Sequence, residues 1–372
     1  MNATRAIDLE DTEGLLAADR DGLLRAASSA GAQVRAIATA VEEGELDPLR
    51  SEDRPRSVIW VAGRGAAGTA GTMLAATLGG VASQPFTPAT EAPPWVGPLD
   101  VLIIAGDDPG DPALVAAAAT GVRRGARVAV VAPYEGPLRD STAGRVAVLS
   151  PRLPVPDEFG LCRYLAAGLA VLHAVDPRPS IDLALLADEL DAEALRNSAA
   201  RELFTNPAKT LAARIAERQV ALAGDGAATV ALARHGSSVL LRIAHQVTAA
   251  TGLADAIVAL RSAASAGFDD PSAALFHDEE IDGPLPQRLR VLALTLAAER
   301  TVVAARLAGI DGADVVAAED VPEAPEAPEA PAGAVGPGGS RGSAGAQRAE
   351  QELAVLAVRL EMAAVYMRLV RG

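Results

Sequence analysis

Apolar positions along this chain follow three spacings, and each predicts a different kind of structure. Between residues 8 and 44, Leu15, Leu16, Leu23, Leu24, Val34 and Ile37 recur at helical intervals among charges, which predicts one or two helices forming an arm that packs on a domain. A charged connection containing Pro55 follows, and from Ser57 the pattern changes to short apolar runs separated by glycine-rich turns and alanine-rich stretches. Parallel strands buried on both faces read this way. Strands are predicted at 57–63, 81–85, 99–105, 127–132 and 145–149, with helices near 67–79, 111–124 and 157–175, as a doubly wound sheet. Ligands bind such sheets beyond the carboxyl ends of the strands, so function is expected on the loops at 63–71, 105–112 and 132–138.

A second unit repeats the pattern. A strand at 219–223 leads through Gly224-Asp225-Gly226 into a long helical stretch. The apolar segment 253–260, a strand at 289–296, a helix at 298–308 and a strand at 314–318 follow. Residues 319–347 then run through Pro-Glu-Ala repeats into Gly and Ser, a composition that predicts a disordered, partly extended linker. Helical spacing returns at 351–371 in a helix expected to cover the second sheet. The fold class expected is α/β, with an N-terminal helical arm (1–52), a first αβα domain (53–176) and a second (177–372), both with parallel flavodoxin-like sheets.

Composition narrows the function. The length of 372 residues suits two domains, and the 3% aromatic content means that Ala, Val and Leu must build the cores. A net charge of −15 argues against a nucleic-acid partner, which would require a basic face. The single cysteine, Cys162, excludes an intramolecular disulfide or a cysteine zinc cage and fits a reducing compartment. No apolar run has the length of a membrane span and the first residues lack a signal-peptide core, so a cytoplasmic protein without a membrane partner is expected. Neither a cofactor nor a metal is expected.

Several segments carry a family resemblance in their order: Val61-Ala62-Gly63-Arg64-Gly65-Ala66-Ala67-Gly68, Asn206-Pro207-Ala208-Lys209, Phe276-His277-Asp278-Glu279 and the closing helix. Together they resemble the bifunctional phosphoglucose/phosphomannose isomerase family of sugar-isomerase (SIS) domain proteins, and within it the divergent actinobacterial TobH-like branch. The resemblance implies two SIS domains, a sugar phosphate as ligand, aldose-ketose isomerisation and a homodimer. It also implies phosphate-binding loops of the forms GxGGSA and SxSGNTxE, whose backbone N–H groups and hydroxyls would hold a dianion. Carried onto this chain, it marks Gly63, Arg64, Gly65, Thr69, Lys209 and Arg234 as substrate-binding candidates.

The chain departs from that pattern at the chemically important points. Ala66 and Ala67 replace Gly and Ser in the first loop, leaving Thr69 as the nearest hydroxyl. The second loop, Ala105 to Pro112, carries Asp107, Asp108 and Asp111 where the family has hydroxyl donors. Asp111 reads as the N-cap of the next helix, whereas Asp107 and Asp108 are left as candidates for a cation or a cationic ligand. The family's catalytic glutamate should fall within 238–252, which holds no acid, while His277 and Glu279 fit its ring-opening segment. Arg242 and His245 lie near the expected cleft, and His173 and His235 read as structural.

Two readings follow: a binding protein with degenerate catalytic and phosphate motifs, acting as a regulator or scaffold in sugar metabolism, or an active isomerase using His277 with Glu279 as a substitute base. A dinucleotide site on Gly63, Gly65 and Gly68 ranks third, because the next strand, ending near Gln84 and Pro85, offers no acid for a ribose. The linker generates the first testable expectation: deleting 320–346 leaves the melting temperature nearly unchanged in differential scanning calorimetry, since so few apolar residues leave the chain.

Overall fold

The computed structural model describes residues 7–80, 82–178, 182–216, 218–265, 288–319 and 344–371. Three short helices open the chain: α1 (Thr12–Ala18), α2 (Leu23–Ala27) and α3 (Ala30–Glu42). The first sheet consists of β1 (Ser57–Val61), β2 (Phe86–Ala89), β3 (Asp100–Ala105), β4 (Arg127–Val131) and β5 (Ala147–Val148). All pairings are parallel and the order is β2-β1-β3-β4-β5. Around it lie α4 (Gly65–Leu78), α5 (Pro112–Arg123), α6 (Gly136–Thr142) and α7 (Leu161–Val175).

Helices α8 (Leu183–Arg196) and α9 (Pro207–Ile215) lead to a second parallel sheet of β6 (Gln219–Gly224), β7 (Ala249–Gly252), β8 (Leu289–Thr295) and β9 (Ala313–Ala317), in the order β7-β6-β8-β9. Its helices are α10 (Ala227–Ala244), α11 (Leu253–Ser265) and α12 (Arg300–Leu307), and α13 (Ala344–Arg371) is the last helix. No described helix is long and apolar enough to cross a membrane.

The predicted α/β class with two parallel sheets is therefore what the structure shows, with local corrections. The first crossover returns at 86–89 and not at 81–85. That strand contains Pro88, which sequence rules demote, but it lies at the sheet edge where a missing N–H is tolerated. The four-residue β7 was not foreseen, 253–260 belongs to a helix, and the last helix begins at Ala344, inside the segment read as linker. Residues 320–343 lie outside the described part of the chain.

Strand alternation divides the core. Ile59, Val61, Leu102, Ile104, Val128 and Val130 point to α5 and α6, where Leu114, Ala117, Ala118 and Leu138 meet them. The opposite face, Val58, Trp60, Val101 and Ile103, joins a much larger cluster that also holds Leu222, Leu292 and Leu294 of the second sheet. The two inner faces thus share a helical layer made by α4, α7, α10 and α13. Close approach in this layer depends on small residues: a Cβ on Gly71 would lie 2.3 Å from Trp60 Cδ1.

Helix α13 is buried almost all round, from Leu353 to Leu369. Such a helix carries polar groups only if they are met. Arg359, 1% exposed, donates from Nε to Glu193 at 2.8 Å and from its terminal nitrogens to the carbonyls of Ala317 and Ala318 at 2.9 and 3.0 Å. Against the cost of burial, Arg359, Arg196 and Asn197 hold the Glu193 carboxyl below the usual glutamate range. Replacing Glu193 with Ala leaves a buried, unpaired guanidinium, so urea unfolding of Glu193→Ala should show a loss of about 3–5 kcal/mol.

Candidate functional site

The carboxyl ends of β1, β3, β4 and β5 converge on one edge of the first sheet, where the chain turns back toward the helices. At the first turn Gly65 adopts φ +63°, a left-handed conformation that glycine takes without strain, and opens α4. Gly63, Arg64, Gly65 and Thr69 are together here, as the loop reading expected. Thr69, however, turns its hydroxyl inward to donate to the Gly65 carbonyl at 3.2 Å. Arg64 is two-thirds exposed and stands 3.8 Å from Asp108.

The acidic loop after β3 is accounted for in part by turn chemistry. Asp108 accepts from the Gly110 N–H and Asp111 from the Ala113 N–H, each at 2.8 Å, the second being the helix cap foreseen from the sequence. Asp107 has a different place. It lines a cavity of about 280 Å³ together with Ser150, Arg152, Asp157 and Arg163, and with Gln33 and Ile37 of α3. Small-ligand pockets run from about 300 to 1,000 Å³, and this one falls just below that range, a size that suits only a compact ligand.

Two groups give the cavity its chemistry. Arg163 lies in α7 with its guanidinium 4.1 Å from the Tyr164 ring centroid, and its Nη1 is buried without a hydrogen-bond partner among the described residues. A buried donor without an acceptor is uncommon in folded proteins. Asp157 accepts from the Tyr164 hydroxyl at 3.4 Å, and its Oδ2 lies only 3.0 Å from where a Cβ on Gly65 would stand, so this carboxylate faces the first turn of α4. Burial, then the nearby Asp107 charge, push the Asp157 carboxyl above its ordinary range, with Arg163 and Arg242 opposing. Burial pushes the Tyr164 phenol up as well, so it remains a donor.

Arg242, from α10, reaches across from the second unit to Glu158 at 2.6 Å. The other sequence candidates are placed elsewhere. Lys209 is fully buried and its ammonium donates to the carbonyls of Ala199 and Arg201 at 2.9 and 2.7 Å, so here it fastens a turn and has no surface to offer a ligand. Arg234 is exposed on α10. His235 is structural as expected, held against Glu361 at 2.8 Å. His277 and Glu279 lie outside the described residues.

Sequence reasoning missed Arg163 and Asp157. The available signal was Arg163 itself, a lone arginine in the otherwise apolar run Leu161-Cys162-Arg163-Tyr164-Leu165. Among the described residues no three His, Cys, Asp or Glu side chains gather into a metal-binding group.

Known structures with this arrangement share little sequence with the chain. The tagatose-6-phosphate ketose/aldose isomerase of Escherichia coli superposes with a TM-score of 0.57 at 16% identity, over 98% of this chain and 92% of that one. The C-terminal domain of glucosamine-fructose-6-phosphate aminotransferase from Francisella tularensis gives 0.56 at 10% identity, over 95% and 98%. A glucose-6-phosphate isomerase like protein from Thermus thermophilus gives 0.50 at 19%, over 98% and 96%. The chain has the two-domain SIS fold. No family model and no curated protein matches its sequence. At these identities the likeness is one of fold, and function rests on the site.

The Asp157 environment yields a stability prediction with a definite sign. A carboxyl whose folded-state pKa is raised favours its protonated form, so wild-type stability grows as pH falls through that raised pKa toward the unfolded value. Asp157→Asn removes the ionisation that burial disfavours. It should raise the melting temperature at neutral and alkaline pH, with the difference shrinking as the pH is lowered.

Proposed function

We propose that this protein binds a sugar phosphate in the cavity at the carboxyl edge of the first sheet, as a divergent relative of the phosphoglucose/phosphomannose isomerases, and isomerises it weakly or not at all. The observation that carries the reading is the cavity itself, set beyond the carboxyl ends of β3, β4 and β5, with the Arg163 side chain on its wall. A phosphate in the cavity would be drawn to this guanidinium, because guanidinium and phosphate form charge-assisted bonds. The fold supports the same reading, since its solved neighbours include a tagatose-6-phosphate isomerase. A cytoplasmic homodimer fits the composition and exposed apolar side chains such as Phe204, 79% exposed.

Weak turnover follows from what the loops lack. The first loop offers no free hydroxyl, since Thr69 bonds within its own helix, and the second presents carboxylates. General acid–base assistance is worth about a hundred- to ten-thousandfold, so a site without the placed base loses on that scale. One observation favours residual chemistry: Asp157, with its raised pKa at the cavity wall, is a group that could accept a proton.

The test is a calorimetric titration with hexose phosphates followed by a coupled isomerase assay. Binding to the wild type is expected, with Arg163→Ala weakening it by roughly ten- to a hundredfold, as the loss of a charged hydrogen bond implies. Turnover should be at least about a hundredfold below that of a competent isomerase. Absence of binding by any sugar phosphate, or equal binding by Arg163→Ala of normal fold, would overturn the reading.

A further inference from the structure

At the amino edge of the first sheet, the end away from the cavity, the turn before β3 holds an aromatic surface open to solvent. Trp95 is 50% and Leu99 58% exposed, yet the backbone that carries them is tied down. Val96 between them is buried in the core. The Arg56 guanidinium lies 5.5 Å from the centroid of the Trp95 ring and donates to the Trp95 carbonyl at 3.2 Å, while the Arg56 N–H donates to the Leu99 carbonyl at 2.7 Å. Arg124 fastens the other side of the turn through the Pro94 carbonyl. Pro94 and Pro98 are exposed beside the indole.

This edge is basic although the chain carries a net charge of −15. Arg56 is answered by Asp100 at 2.6 Å, and Arg127 faces Asp53. Arg123 and Arg124 donate to Thr120 Oγ1 and to the Pro94 carbonyl, and among the described residues neither they nor Arg54 meets a carboxylate in an ion pair. A preformed aromatic and proline surface suits an extended, proline-rich segment, and the arginines around it call for acids on that segment.

One segment of this chain has both properties. Residues 322–331, outside the described part, read Pro-Glu-Ala three times and end on Pro331. A polyproline II helix has three residues per turn, so in that conformation Pro322, Pro325, Pro328 and Pro331 would form one ridge and Glu323, Glu326 and Glu329 another. Each turn rises about 9 Å, close to the roughly 9.6 Å between strands two places apart in a sheet. Arg54 leads into β1 and Arg124 into β4, which are two places apart in the order β1-β3-β4.

We propose that residues 322–331 dock on this surface of their own chain, with the proline ridge on Trp95 and Leu99 and the glutamates toward Arg54, Arg123 and Arg124. The way the segment rejoins the fold favours its own chain over a second copy. Glu350, six residues into α13, stands beside Thr77 in the last turn of α4, and a crossover helix ends at the edge where its strand begins. The segment therefore returns to the fold on the side of the sheet where Arg56 and Leu99 lie. The residues from Pro331 to Ala344 reach at most about 45 Å and those from Glu319 to Pro325 about 20 Å. A tether of this kind gives an effective concentration of about a millimolar, enough for a contact too weak to form between separate molecules at ordinary concentrations.

The experiment is acrylamide quenching of tryptophan fluorescence in the full chain and in the chain lacking 320–346. Of the two tryptophans Trp60 is buried, so quenching reports Trp95. A segment in place for half of the time or more should make the deletion variant roughly twofold more quenchable. A synthetic peptide of residues 319–331 added to that variant should restore the protection, and about 1 M salt should remove it again by screening exposed charges. Glu323→Gln, Glu326→Gln and Glu329→Gln together in the full chain should reproduce the deletion while altering none of the packed residues. Equal quenching of the full chain and the deletion variant overturns the proposal, as does protection that survives the three glutamines. Protection that grows with protein concentration puts the segment of one copy on another and overturns it too.

Discussion

The burial of α13 is the constraint on which the rest of the molecule depends. A helix buried almost all round has no solvent face, so it is stable only where protein surrounds it, and here helices from both units do so. The two sheets consequently turn their inner faces to one helical layer and share a core. The polar groups on α13 then become points of registration. Arg359 ties it to Glu193 and to the end of β9, Glu361 to His235 of α10, and Tyr366 to the Asn197 carbonyl at 2.5 Å. A buried ion pair of this kind is weak evidence for added stability but costly to break, which fixes the helix in one rotation and one depth.

That fixed geometry reaches the site. Because α4, α7 and α10 pack in the shared layer, the turn that opens α4, the first turns of α7 and Arg242 of α10 are held close to one another. The result is an anion-friendly scaffold, a glycine turn at a helix N-terminus, faced by carboxylates from two other loops.

The sequence made the strands of both sheets legible, because parallel strands buried on both faces are nearly continuous apolar runs, as in Val101-Leu102-Ile103-Ile104. Edge strands lacked that signal. β2 carries Pro88 and β7 is only Ala249-Ala250-Thr251-Gly252, and neither needs two apolar faces. The site was legible as a set of loops but not as a set of side chains. Local motifs report local chemistry, so Asn206 and Lys209 were visible as a pattern although their work is to cap and fasten a helix start. Arg163 and Asp157 meet Asp107 only through the crossover order of the sheet, which spacing along the chain does not encode.

The shared layer also bears on how the protein is made. Translation delivers α4, α7, α8 and α10 before α13, and each of these helices packs against it. Cys162 waits for Ala354, Gly236 for Leu360 and Asn197 for Tyr366. Multidomain chains commonly fold their N-terminal domain while the rest is still being synthesised. Here the first sheet can form early, but the part of its inner helical face that α13 covers has no cover until α13 has been synthesised.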